Sequence, residues 1–451
     1  MTALTTLLQQ FKLRKNNHVF MMKDRTVTYD DLSVMVQEAE EIIRQKRFQN
    51  RVVALCADYS PEATAWLLAL WKANNIVVLL SNKTEAQQMQ MKQITEVQAC
   101  VSIKDNNVEC WVEREEDCQH PLLQKLIQEK CAGFVLFSSG STGEPKAILH
   151  RAEPFLRQHV AQENKPALRV LAFLLFDHIG GLNVLLSVLS RGGCVVVVGN
   201  RNPFTIGERI EHCYVQAMTV SPSFLNLLLL SGALNQYDFS SLDIVNYGTE
   251  PMPESTLEAL QQALPHTRFS QAYGLSEVGI IPTRSKDSHS LWMKIGNEDC
   301  LMRVNNGLLE IKSPASMVGY LNADNIHTLT EDGWFITGDA VIQEGEFFRV
   351  VGRQSDLINI GGEKIYPIEV ENVLKTMPQV LDVAISSEPH FLLGNLMIGR
   401  FQVDKAISLS DFKKELMAFA VSRLRPFQIP RKIFITQEAL YNERFKKIRR
   451  A

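Results

Sequence analysis

The stretch "GFVLFSSGSTGEPKAILH", residues 133 to 150, joins an apolar run to a loop of small hydroxyl residues. The letters "GFVLF" indicate a buried strand, and residues 137 to 146 contain two glycines, four serines or threonines and one lysine. Glycine lets the backbone approach an oxyanion, N–H and hydroxyl groups donate hydrogen bonds, and lysine adds a mobile positive charge. The spacing of Gly140, Gly143 and Lys146 is not the Walker pattern, but the chemistry suits a triphosphate. A Gly/Ser surface linker has a similar composition, so the loop alone leaves both interpretations open.

Short β-rich runs alternate with helical periods on both sides of this loop. "RVVALC" (51–56) indicates a strand, "SPEATAWLLALWKAN" (60–74) a helix with Ser60 as N-cap and Pro61 at its first position, and "IVVLL" (76–80) the next strand. The alternation continues to "AMTVS" (217–221). It predicts an α/β fold whose large N-terminal domain consists of parallel sheets covered by helices.

The sequence pattern changes after about residue 290. Short strands with hairpin turns at 305–307 and 344–346 predict a β-rich part over about 290–353. Beyond Arg353 two helical periods and three strands indicate a small, mobile α+β domain. The predicted domains are therefore 1–353 and 354–451.

Composition excludes several classes of protein. The net charge of −3 gives no overall attraction to nucleic acid or to an anionic membrane, so any anion site must be local. The apolar runs are too short to span a bilayer, and the N-terminus lacks the pattern of a signal peptide. Eight cysteines without a C-x-x-C pair suggest buried structural thiols rather than a zinc site. We expect a cytoplasmic protein, monomeric or homodimeric, that binds no nucleic acid.

The loop acquires a specific interpretation when it is compared with other segments. "SSGSTGEPK" (138–146) resembles the phosphate-binding signature of the adenylate-forming superfamily, which contains acyl-CoA synthetases, adenylation domains and luciferases. Further segments resemble signatures of this superfamily in the same order: "VTYDDL" (27–32), "LFDHIGG" (175–181), "YGTEP" (247–251), "YGLSE" (273–277), "ITGD" (336–339), "GRQSDLINIGGEKIYPIEVE" (352–371) and "KKIRR" (446–450). The resemblance covers nearly the whole chain.

The resemblance implies an enzyme that uses ATP and Mg²⁺ to convert a carboxylic acid to acyl-AMP with release of pyrophosphate. A thiol then displaces AMP. The "GGEK" loop (361–364) is more similar to that of acyl-CoA synthetases, which favours coenzyme A. A phosphopantetheine carrier protein is the alternative acceptor, and a non-catalytic nucleotide-binding relative is a third interpretation. We expect an aromatic or medium apolar acid, and "FDHIGGL" (176–182) is loosely similar to o-succinylbenzoate–CoA ligases.

The same resemblance assigns the nucleotide site. The residues implied to bind ATP are Ser138, Ser139, Gly140, Ser141, Thr142, Gly143, Lys146, Gly248, Thr249, Glu250, Gln271, Ala272, Tyr273, Gly274, Ser276, Asp339 and Arg353. Glu277 is the implied metal ligand, since Mg²⁺ prefers carboxylate oxygens. Asp339 would accept hydrogen bonds from both ribose hydroxyls, because a carboxylate is an acceptor only.

Roles in the chemistry are implied for fewer residues. Lys447 would reach the substrate carboxylate and the α-phosphate, His178 would shape the carboxylate entrance, and Asp177 beside it could raise the pKa of that imidazole. Ser355 would be the domain hinge. The residues implied to contact the acid are His178, Ile179, Gly180, Ser223, Tyr247, Gly274 and Val278, and those implied to line the thiol tunnel are Gly361, Gly362 and Lys364. Lys446 replaces the usual glycine, which leaves the choice between Lys447 and its neighbour open.

Overall fold

A computed structural model of the chain describes residues 1–81, 83–105, 107–139, 144–161, 165–325, 328–391, 394–403, 407–442 and 445–449, except for the side chain of Ser139. The α-helices in these ranges are α1 Ala3–Leu13, α2 Tyr29–Gln45, α3 Pro61–Lys72, α4 Glu85–Ile94, α5 Pro121–Gln128, α6 Ala152–Val160, α7 Ile179–Arg191, α8 Pro203–Cys213, α9 Pro222–Ser231, α10 Ala233–Gln236, α11 Glu254–Ala263, α12 Pro367–Leu374 and α13 Leu409–Val421.

Besides two short 3-10 helices, Gln354–Asp356 and Pro426–Gln428, the remaining elements of these ranges are strands. They are β1 His18–Met21, β2 Thr26–Thr28, β3 Val52–Cys56, β4 Ile76–Leu80, β5 Ala99–Lys104, β6 Asn107–Val112, β7 Gly133–Ser139, β8 Pro145–Arg151, β9 Arg169–Ala172, β10 Cys194–Val197, β11 Ala217–Val220, β12 Ile244–Tyr247, β13 Arg268–Gln271, β14 Tyr273–Leu275, β15 Gly279–Ile281, β16 Thr283–Ser285, β17 Met293–Ile295, β18 Leu301–Asn305, β19 Leu308–Lys312, β20 Gly319–Tyr320, β21 Phe335–Glu344, β22 Phe347–Arg353, β23 Ile358–Ile360, β24 Glu363–Ile365, β25 Val380–His390, β26 Gly394–Val403 and β27 Lys432–Thr436.

Two large sheets form the N-terminal part of the fold. Within the described ranges the first has the strand order β13-β12-β11-β9-β10-β1-β2, with β2 antiparallel to an otherwise parallel set. The second has the order β20-β8-β7-β4-β3-β5-β6, with a parallel centre and antiparallel edges. All five residues of β4 are buried, as expected where helices cover both faces of a parallel sheet. The predicted α/β class is confirmed.

The quoted loop connects two antiparallel neighbours in the second sheet. β7 and β8 pair so that Ser138 lies opposite Lys146. The predicted phosphate ligands Gly140, Ser141, Thr142 and Gly143 lie outside the described residues. The register nevertheless brings the two ends of the loop together, at the same end of β7 and β8.

A third sheet and a small C-terminal unit follow. In the described chain the third sheet is antiparallel, with the order β16-β17-β22-β21-β19-β18. Its predicted hairpin turn at Asn306 and Gly307 is confirmed, with φ of 50° and 77°, the left-handed values that a two-residue turn requires. The C-terminal residues form a separate apolar core that includes Phe401, Phe412 and Leu416. The domain boundary at residues 353 and 354 stays a prediction, which this separate core supports.

Further sequence predictions concern thiols and membranes. The eight cysteines are free thiols, five of them buried and three half-buried. None of the helices in the described part of the chain has both the length and the apolar character needed to cross a bilayer.

The first turn of helix α7 lies in close contact with the preceding backbone. A Cβ atom added at Gly181 would lie 2.0 Å from the carbonyl oxygen of Leu175. The Gly181 carbonyl also accepts a hydrogen bond of 2.5 Å from the Tyr59 hydroxyl. Only glycine allows this approach, which fixes the start of α7 against the preceding chain.

Substitution of this glycine tests the contact. We expect Gly181→Ala to lower the free energy of unfolding by about 1–3 kcal/mol, because the backbone must move to admit the methyl group. Gly199→Ala is the matched control, since a Cβ at Gly199 meets nothing within 4 Å. Urea unfolding of both variants measures the difference, and equal stabilities would contradict the assignment.

A buried histidine on β8 predicts how stability depends on pH. His150 stacks on Phe134, and its ring nitrogens lie 2.7 Å from the Ser276 carbonyl and 3.2 Å from the Ala315 carbonyl. Burial lowers the pKa of His150 from 6.5 to about 4. The unfolded chain therefore takes up the proton first as the pH falls, and stability is lost from about pH 6.5 towards 4.

Unfolding in urea at several pH values measures this loss. We expect His150 to contribute about 3 kcal/mol to the decrease, at about 1.36 kcal/mol per pKa unit. His150→Gln should be less stable at pH 7 and should show a flatter decrease below it. Exposed His266→Gln is the control and should keep the original slope. An unchanged slope in His150→Gln would show that the histidine does not stay neutral in the fold.

Candidate active site

A cavity of about 1400 Å³ is lined by residues at the ends of the first sheet's strands, at the end of β7 and at the start of β8. Many of the residues predicted from the sequence line it together: Ser138, Lys146, His178, Ile179, Gly180, Gly248, Thr249, Ala272, Tyr273, Gly274, Ser276, Glu277, Arg353 and Ser355. They come from segments more than two hundred residues apart, so the fold and not the chain order assembles them.

The predicted phosphate end contains a cation, a tyrosine and a carboxylate. The Lys146 Nζ lies 5.2 Å from the centre of the Tyr320 ring, and the Tyr320 hydroxyl donates a 2.8 Å hydrogen bond to Glu277 Oε1. Burial and the charge of Glu277 raise the pKa of Tyr320, which keeps its hydroxyl a donor. Tyr320 was not predicted from the sequence, although "MVGY" (317–320) follows a predicted strand.

The donor set suits a magnesium ion held mainly by its substrate. The described residues contain no group of three or more His, Cys, Asp or Glu side chains that could hold a metal ion. Glu277 offers one oxygen-donor side chain inside the cavity. Mg²⁺ commonly binds through one or two carboxylates, phosphate oxygens and water, so Glu277 fits that role without further protein ligands.

A buried carboxylate lies at the predicted ribose position. Asp339 is 5% exposed, and it accepts hydrogen bonds from the Tyr273 hydroxyl (2.6 Å) and from Arg353 Nε (3.0 Å). Burial raises the pKa of Asp339, while Arg353 and the Tyr273 hydroxyl lower it. Each donor uses a different oxygen, and a carboxylate oxygen accepts more than one hydrogen bond. Asp339 itself does not line the cavity, and its contact with a ribose stays a prediction.

The predicted adenine segments approach each other closely. A Cβ on Gly248 would lie 2.6 Å from the Ala272 carbonyl, so the chain ends after β12 and β13 meet backbone to backbone. Thr249 has φ of 73°, a left-handed conformation that is strained for a β-branched residue. Such strain is found where the surrounding structure fixes a backbone for function.

Two residues predicted for the nucleotide have other partners. Glu250 accepts hydrogen bonds from the backbone N–H of Ser223 (2.7 Å) and of Lys447 (3.1 Å). Gln271 faces a separate, smaller cavity of about 250 Å³. Neither lines the main cavity, so their predicted contacts with ATP stay predictions.

His178 caps the helix that forms one wall of the cavity. Its Nδ1 accepts a 3.1 Å hydrogen bond from the Gly180 N–H, which leaves the ring proton on Nε2. The Asp177 carboxylate instead lies 2.6 Å from the Lys83 ammonium. Asp177 thus has a buried cation as a partner, and its influence on His178 stays a prediction.

Other predicted residues lie apart from the cavity. Of the acid-binding set, Tyr247, Val278 and Ser223 are buried and do not line it. Of the thiol set, Gly361 and Gly362 form the turn between β23 and β24, with φ of 61° and 93°. That turn and Lys364 are exposed and also lie outside the cavity wall. Their roles remain predictions.

The C-terminal tail presents two lysines in different environments. The Lys447 ammonium binds Asp382 Oδ1 (2.7 Å) and the Val383 carbonyl (2.9 Å), and both charged side chains are buried. Lys446, in contrast, lines the cavity. Lys446 thus lines the cavity and Lys447 does not, and the catalytic role of Lys447 stays a prediction.

Comparisons with known proteins show what the chain is similar to. Residues 8–297 match the family model described as AMP-binding enzyme. The chain is 28% identical over 339 residues to 4-coumarate–CoA ligase-like 6 of Arabidopsis thaliana, covering 68% of this chain and 59% of that relative. It is 26% identical over 476 residues to the 2-succinylbenzoate–CoA ligase of Bacillus cytotoxicus, covering 98% of this chain and 97% of that relative.

Solved structures show the same fold. An anthranilate CoA ligase, AuaEII, in complex with anthranoyl-AMP superimposes with a TM-score of 0.84 at 17% identity, covering 100% of this chain and 96% of that chain. The o-succinylbenzoate CoA synthetase of Bacillus subtilis, in complex with its acyl-adenylate, gives 0.77 at 19% identity, covering 98% and 97%. Because the family model matches more than half of the chain, this protein belongs to the AMP-binding enzyme family.

Proposed function

We propose that this protein is an ATP-dependent acid–CoA ligase that proceeds through an acyl-AMP. One observation carries the proposal: Lys146, Glu277, Tyr273 and Arg353 line one cavity, and Asp339 accepts hydrogen bonds from the last two. Lys146 would supply a cation for the phosphates, Glu277 a carboxylate for Mg²⁺, and Asp339 an acceptor for the ribose hydroxyls.

The chemistry requires positioning and charge stabilisation rather than a side-chain nucleophile. A carboxylate oxygen of the acid attacks the α-phosphorus of ATP, and the bond to pyrophosphate breaks. Lys146 and the hydroxyl and N–H groups at the end of β7 would hold the leaving phosphates. Glu277 would hold Mg²⁺, which offsets negative charge on those phosphates. Tyr320 orients Glu277 through its hydrogen bond.

The second step transfers the acyl group. The thiol sulfur attacks the acyl carbon, AMP leaves, and the thiol proton passes to solvent. The preference for coenzyme A rests on the "GGEK" loop and on the names of the relatives, which are CoA ligases. A carrier protein differs only in what presents the thiol.

The acid would enter beside the start of α7. Ile179, Gly180 and Gly274 line the cavity there, next to His178. These neutral groups favour an apolar or aromatic body next to the reacting carboxylate. The names of the relatives make 2-succinylbenzoate and 4-coumarate the first compounds to examine.

A pyrophosphate-release screen tests the proposal. Purified protein is incubated with ATP, Mg²⁺ and a panel of aromatic and aliphatic acids, first with coenzyme A and then with loaded carrier proteins. We expect acid-dependent pyrophosphate and acyl-CoA, and loss of both in Glu277→Gln. Pyrophosphate with carrier protein alone would assign the alternative acceptor. Nucleotide binding without pyrophosphate for any acid would indicate the non-catalytic interpretation.

The tail lysines give a second prediction. Lys447→Ala should lower acid-dependent exchange of pyrophosphate into ATP by about 100-fold or more, the cost of removing one group that stabilises developing charge. Thioester formation from supplied acyl-AMP should be largely retained. Lys446→Ala is the matched neighbour, and we expect a smaller loss.

A control separates this chemistry from stability. Lys447→Ala leaves Asp382 buried without its cation, which costs about 3–5 kcal/mol. A double variant that combines it with Asp382→Asn removes both charges and should restore stability without restoring exchange. A larger loss in Lys446→Ala would move the role to the lysine that lines the cavity. Equal loss of both half-reactions would contradict any special role of the tail in adenylation.

A further inference from the structure

The two described parts of the C-terminal tail, 440–442 and 445–448, lie side by side. The Ile448 N–H donates a 2.8 Å hydrogen bond to the Leu440 carbonyl. The Asn442 N–H donates to the Lys446 carbonyl (2.9 Å), and the Asn442 Oδ1 accepts from the Lys446 N–H (3.1 Å). These bonds lie within the tail, so its shape does not depend on contacts with the rest of the protein.

Phe445 extends from the tail into the N-terminal part of the fold. The centre of its ring lies 5.3 Å from that of Phe173 and 5.4 Å from that of Phe224, edge-on to the latter. Phe173 and Phe224 are buried and lie 4.3 Å apart. The Tyr441 ring stacks on Phe445 from within the tail, at 5.2 Å. Aromatic pairs of this kind stabilise a contact beyond the apolar area that they bury.

The backbone at Phe445 has a conformation that this residue type disfavours. Its φ of 52° lies in the left-handed region, which a bulky side chain rarely adopts. Such a conformation persists where the surrounding structure fixes it. The turn at Asn442, whose carbonyl accepts from the Phe445 N–H at 2.8 Å, and the aromatic contacts provide that constraint.

A second contact with the N-terminal part lies two residues further along the tail. Glu250 Oε2 accepts a 3.1 Å hydrogen bond from the Lys447 N–H, and its Oε1 accepts one of 2.7 Å from the Ser223 N–H in the first turn of α9. Phe224 is the next residue of that turn. The two contacts therefore meet neighbouring groups, and they flank Lys446, whose side chain lines the main cavity.

We propose, on the basis of the function proposed above, that Phe445 is a positioning residue for adenylation. Its ring, packed against Phe173 and Phe224, holds the tail lysines beside the cavity while the carboxylate of the acid attacks the α-phosphorus. Transfer of the acyl group to the thiol is not assigned to those lysines. That step therefore does not require the ring to be in place.

The two half-reactions test this role separately. We expect Phe445→Ala to lower kcat for acid-dependent exchange of pyrophosphate into ATP by about tenfold, the factor given by a contact of about 1.4 kcal/mol. KM for ATP and for the acid should change much less, because Phe445 does not line the cavity. Thioester formation from supplied acyl-AMP should be retained. Equal loss of both half-reactions, or loss of neither, would overturn the proposal.

Two further variants separate this contact from general packing. Phe445→Leu keeps an apolar side chain without the ring, and its exchange activity should fall between those of the unsubstituted protein and Phe445→Ala. Phe434→Ala is the matched control, since Phe434 lies on β27 of the same unit and is 52% exposed. It should change neither half-reaction. A decrease in Phe434→Ala as large as that in Phe445→Ala would contradict a specific role of Phe445.

Amide hydrogen exchange of the protein without ligands tests the contact itself. The Lys447 N–H is bound by Glu250 in the N-terminal part, whereas the Ile448 N–H is bound by Leu440 within the tail. With exchange resolved to single residues, Phe445→Ala should exchange about tenfold faster at Lys447 and at an unchanged rate at Ile448. Faster exchange at both amides would overturn the proposal, because the tail would then have unfolded instead of being released.

The same measurement separates this proposal from the proposed function. Faster exchange at Lys447 alone, in a protein that forms no pyrophosphate with any acid, would support the contact and contradict the ligase activity. Conversely, an unchanged rate at Lys447 in Phe445→Ala, in a protein that does form pyrophosphate, would overturn the role of Phe445 and leave the ligase activity in place.

Discussion

A carboxylate removed from water joins three parts of the chain. Asp339 lies on β21, opposite Arg353 in the register of β21 and β22, and its second oxygen accepts from Tyr273 at the start of β14. Burial of this charge without partners would cost several kcal/mol. The fold and the site therefore both require the two donors. Tyr273 follows the last strand of the first sheet, and Arg353 is the last residue of β22. The same contact therefore holds together two residues that line the cavity, Tyr273 and Arg353.

Local rather than overall charge determines what this cavity attracts. The chain has a net charge of −3, yet Lys146, Arg353 and Lys446 line one part of the cavity. Arg191 and Lys165 line the part along α7. ATP and an acid are both anions, and placing them together requires cations at short range in a partly dehydrated space. The proposed ligase chemistry thus depends on where a few cations lie and not on the composition of the chain.

Features governed by neighbours in sequence could be predicted, and features made by distant contacts could not. Ser60 caps α3 and Pro61 begins it, as predicted, because capping depends on a few adjacent residues. The Asn306–Gly307 turn followed from the same kind of local rule. Family resemblance added the residues that line the cavity. Tyr320 was missed because only the packing of β20 against β8 brings its hydroxyl to Glu277.

Side-chain contacts between residues far apart in the sequence could not be predicted either. Lys447 and Asp382 are 65 positions apart, and no periodicity relates them. The motif in the tail identified the lysine but not its buried partner. His159 and Arg191 likewise lie on two different helices, α6 and α7, and their shared cavity becomes visible only when the packing of those helices is known.

The anchoring of residues 445–449 has a mechanical consequence. Lys447 is fixed to Asp382 on β25, and Arg449 forms a two-pronged ion pair with the buried Glu371 of α12. Both anchors belong to the C-terminal unit. Among the described residues the segment also meets the N-terminal part through a backbone hydrogen bond to Glu250 and ring contacts of Phe445 with Phe173 and Phe224. These two ion pairs therefore hold residues 445–449 against the C-terminal unit. Rotation of the C-terminal unit would therefore move residues 445–449 with it as one piece.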